Sequence, residues 1–426
     1  MGSLYELWER VCADRCNQVA IYDVMGRRSW TFDEIQNAVL EARLDDTPLV
    51  PCAKGNTVEF IVAFLAACRH GRVFLPLDPS FPAGNQQRII RQFSGVEWPA
   101  GTCMLKLTSG STGHPKGIVL SDANLIADVQ QICRVMDIGS DDLNLAAISL
   151  VHSYGFDNLV LPLIVQGTPM VLMNSFLPRP VLDAISQFGI SVIPLAPFMY
   201  ESLAALQGDW SPLRVCISAG AMLSPDVASR FHARSGRKIH TLYGSSECGG
   251  ICYDYSDEPV LTAGCVGKPL DGVHVSLDEE QRVCVQGPSV ALGYVSANGD
   301  ESLDNGRFRT SDLGRFDDRG RLFLTGRAVG VINIAGQKVH PAEIERCLLG
   351  LHGVKAVMVI GLPEPARGEV VGALVVAEKL DEAAILRHCT THLAPWKIPH
   401  RLKIVSELPY AERGKLSSEA VRALLA

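Results

Sequence analysis

Thr108-Ser109-Gly110-Ser111-Thr112-Gly113-His114-Pro115-Lys116-Gly117 lies between two apolar runs, residues 104–107 and 118–120. Glycines at 110, 113 and 117 let the backbone approach a polyphosphate closely and turn its amides inward. The hydroxyls of Thr108, Ser109, Ser111 and Thr112 can donate to phosphate oxygens, and Lys116 adds a positive charge. The Walker A loop needs Gly immediately before its Lys and Ser or Thr after it, whereas Lys116 is flanked by Pro115 and Gly117. A flexible Ser/Gly linker has a similar composition, but it would rarely join two buried strands with a lysine so placed.

Outward from this loop the chain alternates short apolar runs with amphipathic ones. Residues 49–53, 104–107, 170–173, 191–194, 213–218 and 238–242 read as strands. Residues 58–68, 123–135, 180–188 and 225–233 read as helices. Such alternation predicts an α/β fold with largely parallel sheets covered by helices. From about 260 to 325 short strands and turn residues dominate (273–277, 282–285, 321–324), which predicts a small β-rich subdomain. Beyond it Pro341 opens a helix at its first position, residues 342–349 continue it, 354–360 and 370–377 read as strands, and 382–392 as a helix.

Composition sets limits on function. The chain has 426 residues, 47% hydrophobic and 20% charged, and a net charge of −7. That length suits two or three compact units, and the balance gives no electrostatic case for nucleic acid or an anionic membrane. The longest apolar stretch, near 159–165, is too short to span a bilayer. The N-terminus shows no signal region, and Glu6 stands where a myristoylation motif needs Ser or Thr. The 13 cysteines are scattered and odd in number, which points to a reduced, cytoplasmic protein rather than a disulfide framework. Cys248 and Cys252 stand four apart, with no second Cys/His pair at zinc-site spacing nearby.

The full loop resembles the signature of the ANL superfamily of adenylate-forming enzymes: acyl- and aryl-CoA synthetases, nonribosomal peptide adenylation domains and luciferases. Further motifs follow in family order. Tyr243-Gly244-Ser245-Ser246-Glu247 is similar to the family's Tyr-Gly-x-Thr-Glu. The match implies that Tyr243 stacks on adenine, Ser246 donates to the α-phosphate and Glu247 helps to hold Mg²⁺. Ser218-Ala219-Gly220-Ala221 resembles the stretch whose backbone lines adenine. Arg309-Thr310-Ser311-Asp312 resembles Arg-Thr-Gly-Asp, with Asp312 accepting from the ribose hydroxyls. Arg327 in Gly326-Arg327 would contact the nucleotide near ribose and phosphate. Arg413-Gly414-Lys415, with Ala394-Pro395-Trp396-Lys397-Ile398-Pro399 upstream, resembles the final motifs, whose lysine bridges substrate carboxylate and α-phosphate.

The resemblance implies an N-terminal AMP-binding adenylation domain over 1–328, made of stacked mixed sheets with helices and including the β-rich subdomain. It implies a small mobile α+β domain over 329–426 that carries Lys415. Residues 326–345 resemble the hinge, about which the small domain rotates after adenylation so that a loop near Gly336 builds the thiol tunnel. Val329 replaces the usual Asp or Lys, and Gly330 offers torsional freedom.

The same resemblance implies an ATP-dependent ligase that makes an acyl-adenylate, releases pyrophosphate, and passes the acyl group to CoA or to the phosphopantetheine of an acyl carrier protein. Val151-His152-Ser153-Tyr154-Gly155-Phe156 resembles the acid-pocket motif of the CoA synthetases. His152, Tyr154, Phe198, Met199 and Gly220 are expected to line the pocket, with His152 as wall or gate. Phe156-Asp157 invites comparison with the amine-binding Phe-Asp of amino-acid-activating relatives, but that Asp aligns with Tyr154. A fatty or aryl acid is therefore expected, and a stand-alone amino-acid adenylation enzyme or an inactive nucleotide-binding protein are the alternatives. Lys116, Glu247, Asp312 and Lys415 argue against the inactive reading. The region ahead of the loop is short for the family, near 40–47 and between 82 and 103. The N-terminal sheet is expected to be reduced, which would open a wall to a carrier protein.

Overall fold

The computed structural model describes residues 2–108, 116–260, 262–296, 299–303, 306–327, 332–334, 337–339, 341–364, 368–409 and 418–425. Among them, the strands expected between 47 and 245 divide into two sheets. The larger runs, edge to edge, through Lys268–Pro269, Gly249–Tyr253, Ile239–Ser245, Val215–Ser218, Val192–Leu195, Asn144–Ala146, Met170–Leu172, Val19–Asp23 and Arg28–Thr31. Its middle is parallel and its edges are antiparallel. The second sheet orders Gly299–Ser302, Gly293–Ser296, Lys116–Ser121, Thr102–Thr108, Val73–Pro76 and Leu49–Cys52.

Val58–Arg69 and Asp122–Met136 are helices started by local chemistry. Thr57 Oγ1 accepts from Phe60 N, and Ser121 and Asn124 close a reciprocal cap. Both helices bury apolar residues in the main core, where the rings of Phe60, Phe64, Phe74 and Phe156 pack edge to face.

The sequence reading left residues before 47 without elements, and the structure builds them into the core. Ser3 with Glu6, and Thr31 with Glu34, form capping boxes for helices Leu4–Arg15 and Phe32–Glu41. The hairpin between these helices supplies the last two strands at one side of the large sheet, with Arg28–Thr31 at the edge. The β-rich region is also divided differently from expectation. Strands His274–Leu277, Arg282–Gln286, Arg307–Phe316 and Leu322–Arg327 form a separate sheet, but Gly293–Ser296 and Gly299–Ser302 join the sheet of the phosphate-loop strands.

After residue 331 a further sheet has its own core, made of residues such as Ile332, Val339, Ile344, Val371, Ile385 and Cys389. The junction expected at 328–330 lies outside the described residues. No helix among the described residues is long and apolar enough to cross a membrane.

Candidate active site

Val192–Leu195, Val215–Ser218 and Ile239–Ser245 are neighbouring parallel strands. The carboxyl ends of such strands are where open α/β sheets bind ligands. Each strand here delivers a candidate residue at that end. Phe198 and Met199 begin the helix Pro197–Ala204 after the first, Gly220 and Ala221 follow the second, and Tyr243 to Glu247 close the third. Gly220 has a φ of +84°, which favours glycine in this bend. Tyr154 spans the same edge, its hydroxyl 3.0 Å from Ile217 O and 3.4 Å from Leu195 O. Burial holds that phenol above its ordinary range, so it stays a neutral donor.

The third strand turns back as Gly249–Tyr253, with Gly244 opposite Gly250. A Cβ at Gly244 would stand 2.5 Å from Gly249 O, so this close approach needs glycine. The turn presents Ser246 and Glu247. Ser246 Oγ accepts from Ser153 Oγ at 2.8 Å, which ties the turn to the acid-pocket motif. Glu247 Oε1 accepts from Tyr294 Oη at 3.0 Å.

Tyr294 is also where the phosphate-loop hairpin arrives. Thr102–Thr108 and Lys116–Ser121 are antiparallel with Thr108 opposite Lys116, so the register brings the two ends of the loop together. Gly293–Ser296 pairs on the other side of Lys116–Ser121, and Lys116 Nζ lies 5.4 Å from the centroid of the Tyr294 ring. Ser109, Gly110, Ser111, Thr112 and Gly113 lie outside the described residues, and so does the side chain of Thr108.

The separate four-stranded sheet meets the third strand at Tyr243. Tyr243 Oη donates to Asp312 Oδ2 at 2.7 Å, and Asp312 N donates to Thr310 Oγ1 at 3.0 Å. Burial, then the neighbouring Asp312 carboxylate, push the Tyr243 phenol up. Asp312 is paired across the ladder with Arg327, whose side chain lies outside the described residues, as does Lys415.

His152 approaches the turn that follows Val73–Pro76. Its Nε2 is 3.7 Å from Asp78 Oδ2, in the Pro76-Leu77-Asp78-Pro79 stretch. Gly155 just beyond it packs so tightly on Ser149 O that a Cβ there would overlap. Phe198 is 48% exposed and meets Phe176 edge to face at 6.3 Å.

Beneath the site lies a buried charge group that the motif reading missed. Lys106 Nζ sits 2.6 and 2.8 Å from the carboxylate oxygens of Asp157, both side chains 4% exposed. Asp128 Oδ1 accepts from Gly250 N at 2.8 Å. Burial and the nearby Asp157 push the Asp128 carboxyl up to about 8, with Lys106 opposing. One lysine thus serves two carboxyls, and burial pushes both of them up. A lysine within the apolar run Met104-Leu105-Lys106-Leu107 was the available signal for this group. Ser153 and Tyr294 gave none, because their partners are distant in sequence.

A family model described as "AMP-binding enzyme" matches residues 94–295, and one described as "AMP-binding enzyme C-terminal domain" matches 343–415. A feruloyl-CoA synthase of an Amycolatopsis species is 32% identical over 75% of this chain and 69% of its own length. Indoleacetate–CoA ligase of Aromatoleum aromaticum is 30% identical over 77% of this chain and 68% of its own. Among solved structures, the amide bond synthetase McbA from Marinactinospora thermotolerans superposes with a TM-score of 0.86 at 24% identity, covering 99% of this chain and 100% of that one, a likeness of fold.

Proposed function

The chain belongs to the AMP-binding enzyme family, within the adenylate-forming ANL superfamily, and on that premise we propose that it ligates an aryl carboxylic acid to the thiol of coenzyme A. The enzyme is an AMP-forming acid–thiol ligase. The observation that carries the site assignment is the line from Lys116 through Tyr294 to Glu247, set beside Ser153 and Ser246 at the ends of the parallel strands. It joins a cation at the exit of the phosphate loop, a carboxylate and two hydroxyls to the acid-pocket motif.

In this reading Thr108 to Gly113 and Lys116 grip the triphosphate, Tyr243 packs on adenine, with Gly220 and Ala221 beside it, and Asp312 and Arg327 hold the ribose side. The substrate carboxylate attacks the α-phosphorus, the bond to the β-phosphate oxygen breaks, and pyrophosphate leaves. Two anions must be held together for that step, so positive charge and fixed donors lower its barrier. Lys415 and Ser246 supply them at the α-phosphate. In the second step the CoA sulfur attacks the acyl carbon and AMP departs. The adjacent Ser246 hydroxyl and Glu247 carboxylate are hard oxygen donors that suit Mg²⁺, which would offset phosphate charge.

The acid is assigned no α-amine. Asp157, the carboxylate nearest in sequence to an amine-binding position, is buried against Lys106. Tyr154 takes the aligned place, and feruloyl-CoA synthase and indoleacetate–CoA ligase are named for aromatic acids. Pyrophosphate exchange across arylpropenoic, arylacetic, fatty and amino acids, followed by thioester detection with CoA and with a holo carrier protein, tests the whole reading. Exchange with an aryl acid and a CoA thioester are expected. Exchange with amino acids alone, loading of the carrier protein alone, or no exchange at all would each overturn it.

A further inference from the structure

The small domain holds a group of side chains that the ligase chemistry does not use. Cys347 lies near the end of helix Pro341–Leu349, and His388 and His392 lie one turn apart on helix Glu382–His392. One ligand atom from each of the three lies within 4.8 Å of the others. The two imidazoles stack with centroids 4.2 Å apart and planes at 32°. Helical spacing of four residues puts both rings on one face, the arrangement that lets a His pair share one cation.

The surroundings prepare each group as a ligand. His388 Nε2 lies 2.9 Å from Cys347 O, and His392 Nδ1 lies 2.9 Å from His388 O. A backbone carbonyl on one ring nitrogen fixes the tautomer and leaves the lone pair on the other, as metal-binding histidines require. Cys389, buried in the core, hydrogen-bonds the Cys347 sulfur.

We propose that Cys347, His388 and His392 form a binding site for a thiophilic divalent cation of the zinc class, on the face of the small domain and apart from the adenylation chemistry. Tetrahedral geometry with the usual bond lengths puts ligand atoms roughly 3.3–3.8 Å apart. The ligand atoms here lie within 4.8 Å, so binding requires side-chain shifts of about 1 Å. Two nitrogens and one thiolate select zinc-like ions over the hard cation that suits Glu247. His392 is exposed, so water completes the fourth corner. The group escaped the sequence reading because Cys347 and His388 are 41 residues apart. The proposal does not depend on the identity of the acid or the acceptor.

The reduced full-length protein is titrated with Co²⁺ and with Zn²⁺ against a chromophoric chelator. One Co²⁺ should bind with a thiolate charge-transfer band in the near ultraviolet and visible bands of four-coordinate intensity. Cys347→Ser should abolish the near-ultraviolet band, and His388→Ala or His392→Ala should weaken Zn²⁺ about 10-fold or more. Cys284→Ser, on a different sheet, should change neither, and circular dichroism of each metal-free variant checks that it folds. Weak six-coordinate bands, or a spectrum unmoved by Cys347→Ser in a folded variant, would overturn the site. So would a reduced protein that binds no Co²⁺ and forms a Cys347–Cys389 disulfide on mild oxidation.

Discussion

Lys106 and Asp157 form an ion pair with both side chains 4% exposed. Removing one partner of such a pair leaves an uncompensated charge in the core, which costs about 3–5 kcal/mol. Lys106→Met is therefore expected to lose that much in urea unfolding at neutral pH, and Lys106→Met with Asp157→Leu to recover most of it. Unchanged stability in the single variant would show that the pair is not held as described. Asp128 gives a pH signature. Its folded value of about 8 lies above the ordinary carboxyl range of about 3.9. Between those values the folded chain binds more protons than the unfolded one, so stability falls as pH rises from about 4 to about 8. The contribution is at most roughly 6 kcal/mol. Asp128→Asn keeps the Oδ1 acceptor for Gly250 N and removes the titration. The variant should thus gain on the native protein between pH 5 and pH 8 in urea midpoint. Parallel curves would contradict the assignment.

The hairpin formed by Ile239–Ser245 and Gly249–Tyr253 depends on the same buried group. Gly249 has a φ of +68°, and a Cβ there would run into the Asp128 carboxyl. Gly249→Ala adds backbone strain to that overlap and should cost roughly 1–3 kcal/mol while displacing Ser246 and Glu247. Its pyrophosphate exchange should fall more steeply than its melting point suggests; a fully active variant would mean that the turn tolerates the shift. On the neighbouring sheet, Tyr294→Phe removes only the hydroxyl donated to Glu247. A hydrogen bond to a charged group supports about a 10-fold fall in exchange at an unchanged melting temperature. Much of this element level was legible in the chain. The apolar runs 104–107, 213–218 and 238–242 located the strands at 102–108, 215–218 and 239–245. The partners of those strands were not legible. Tyr294 reaches Glu247 because Gly293–Ser296 crosses into the phosphate-loop sheet, and the hairpin at 19–31 earns its place by pairing with Met170–Leu172, both long-range choices made by burial rather than by local pattern.

At the scale of the whole molecule, polar contacts link the small domain to the large one. Arg346, on the first helix of the small domain, donates to Thr325 O at 3.2 Å and Leu324 O at 3.5 Å. Lys355 lies 3.3 Å from Glu201 of the large domain and also pairs with Glu378. Contacts of this kind, half in water, are individually weak and can be exchanged, unlike an apolar seam. That suits the proposed rotation, in which one orientation presents Lys415 to the carboxylate and α-phosphate and the other admits the thiol. If the two steps use two orientations, Lys415→Ala should lower adenylation by about 100-fold or more, the size of effect seen when a single stabilising group is removed from a transition state. The same variant, given preformed acyl-adenylate and CoA, should form thioester within a few-fold of the native rate. Single-turnover assays of each half-reaction separate the outcomes. Equal loss in both would place Lys415 in a fixed site common to the two steps and would remove the need for rotation. Glu201→Lys provides the complementary measurement, because it repels Lys355 without touching the nucleotide residues. It should change the ratio of the two half-reaction rates while costing at most about 1 kcal/mol through the lost pair with Arg230, whereas an unchanged ratio would show that this contact does not bias the orientation of the small domain.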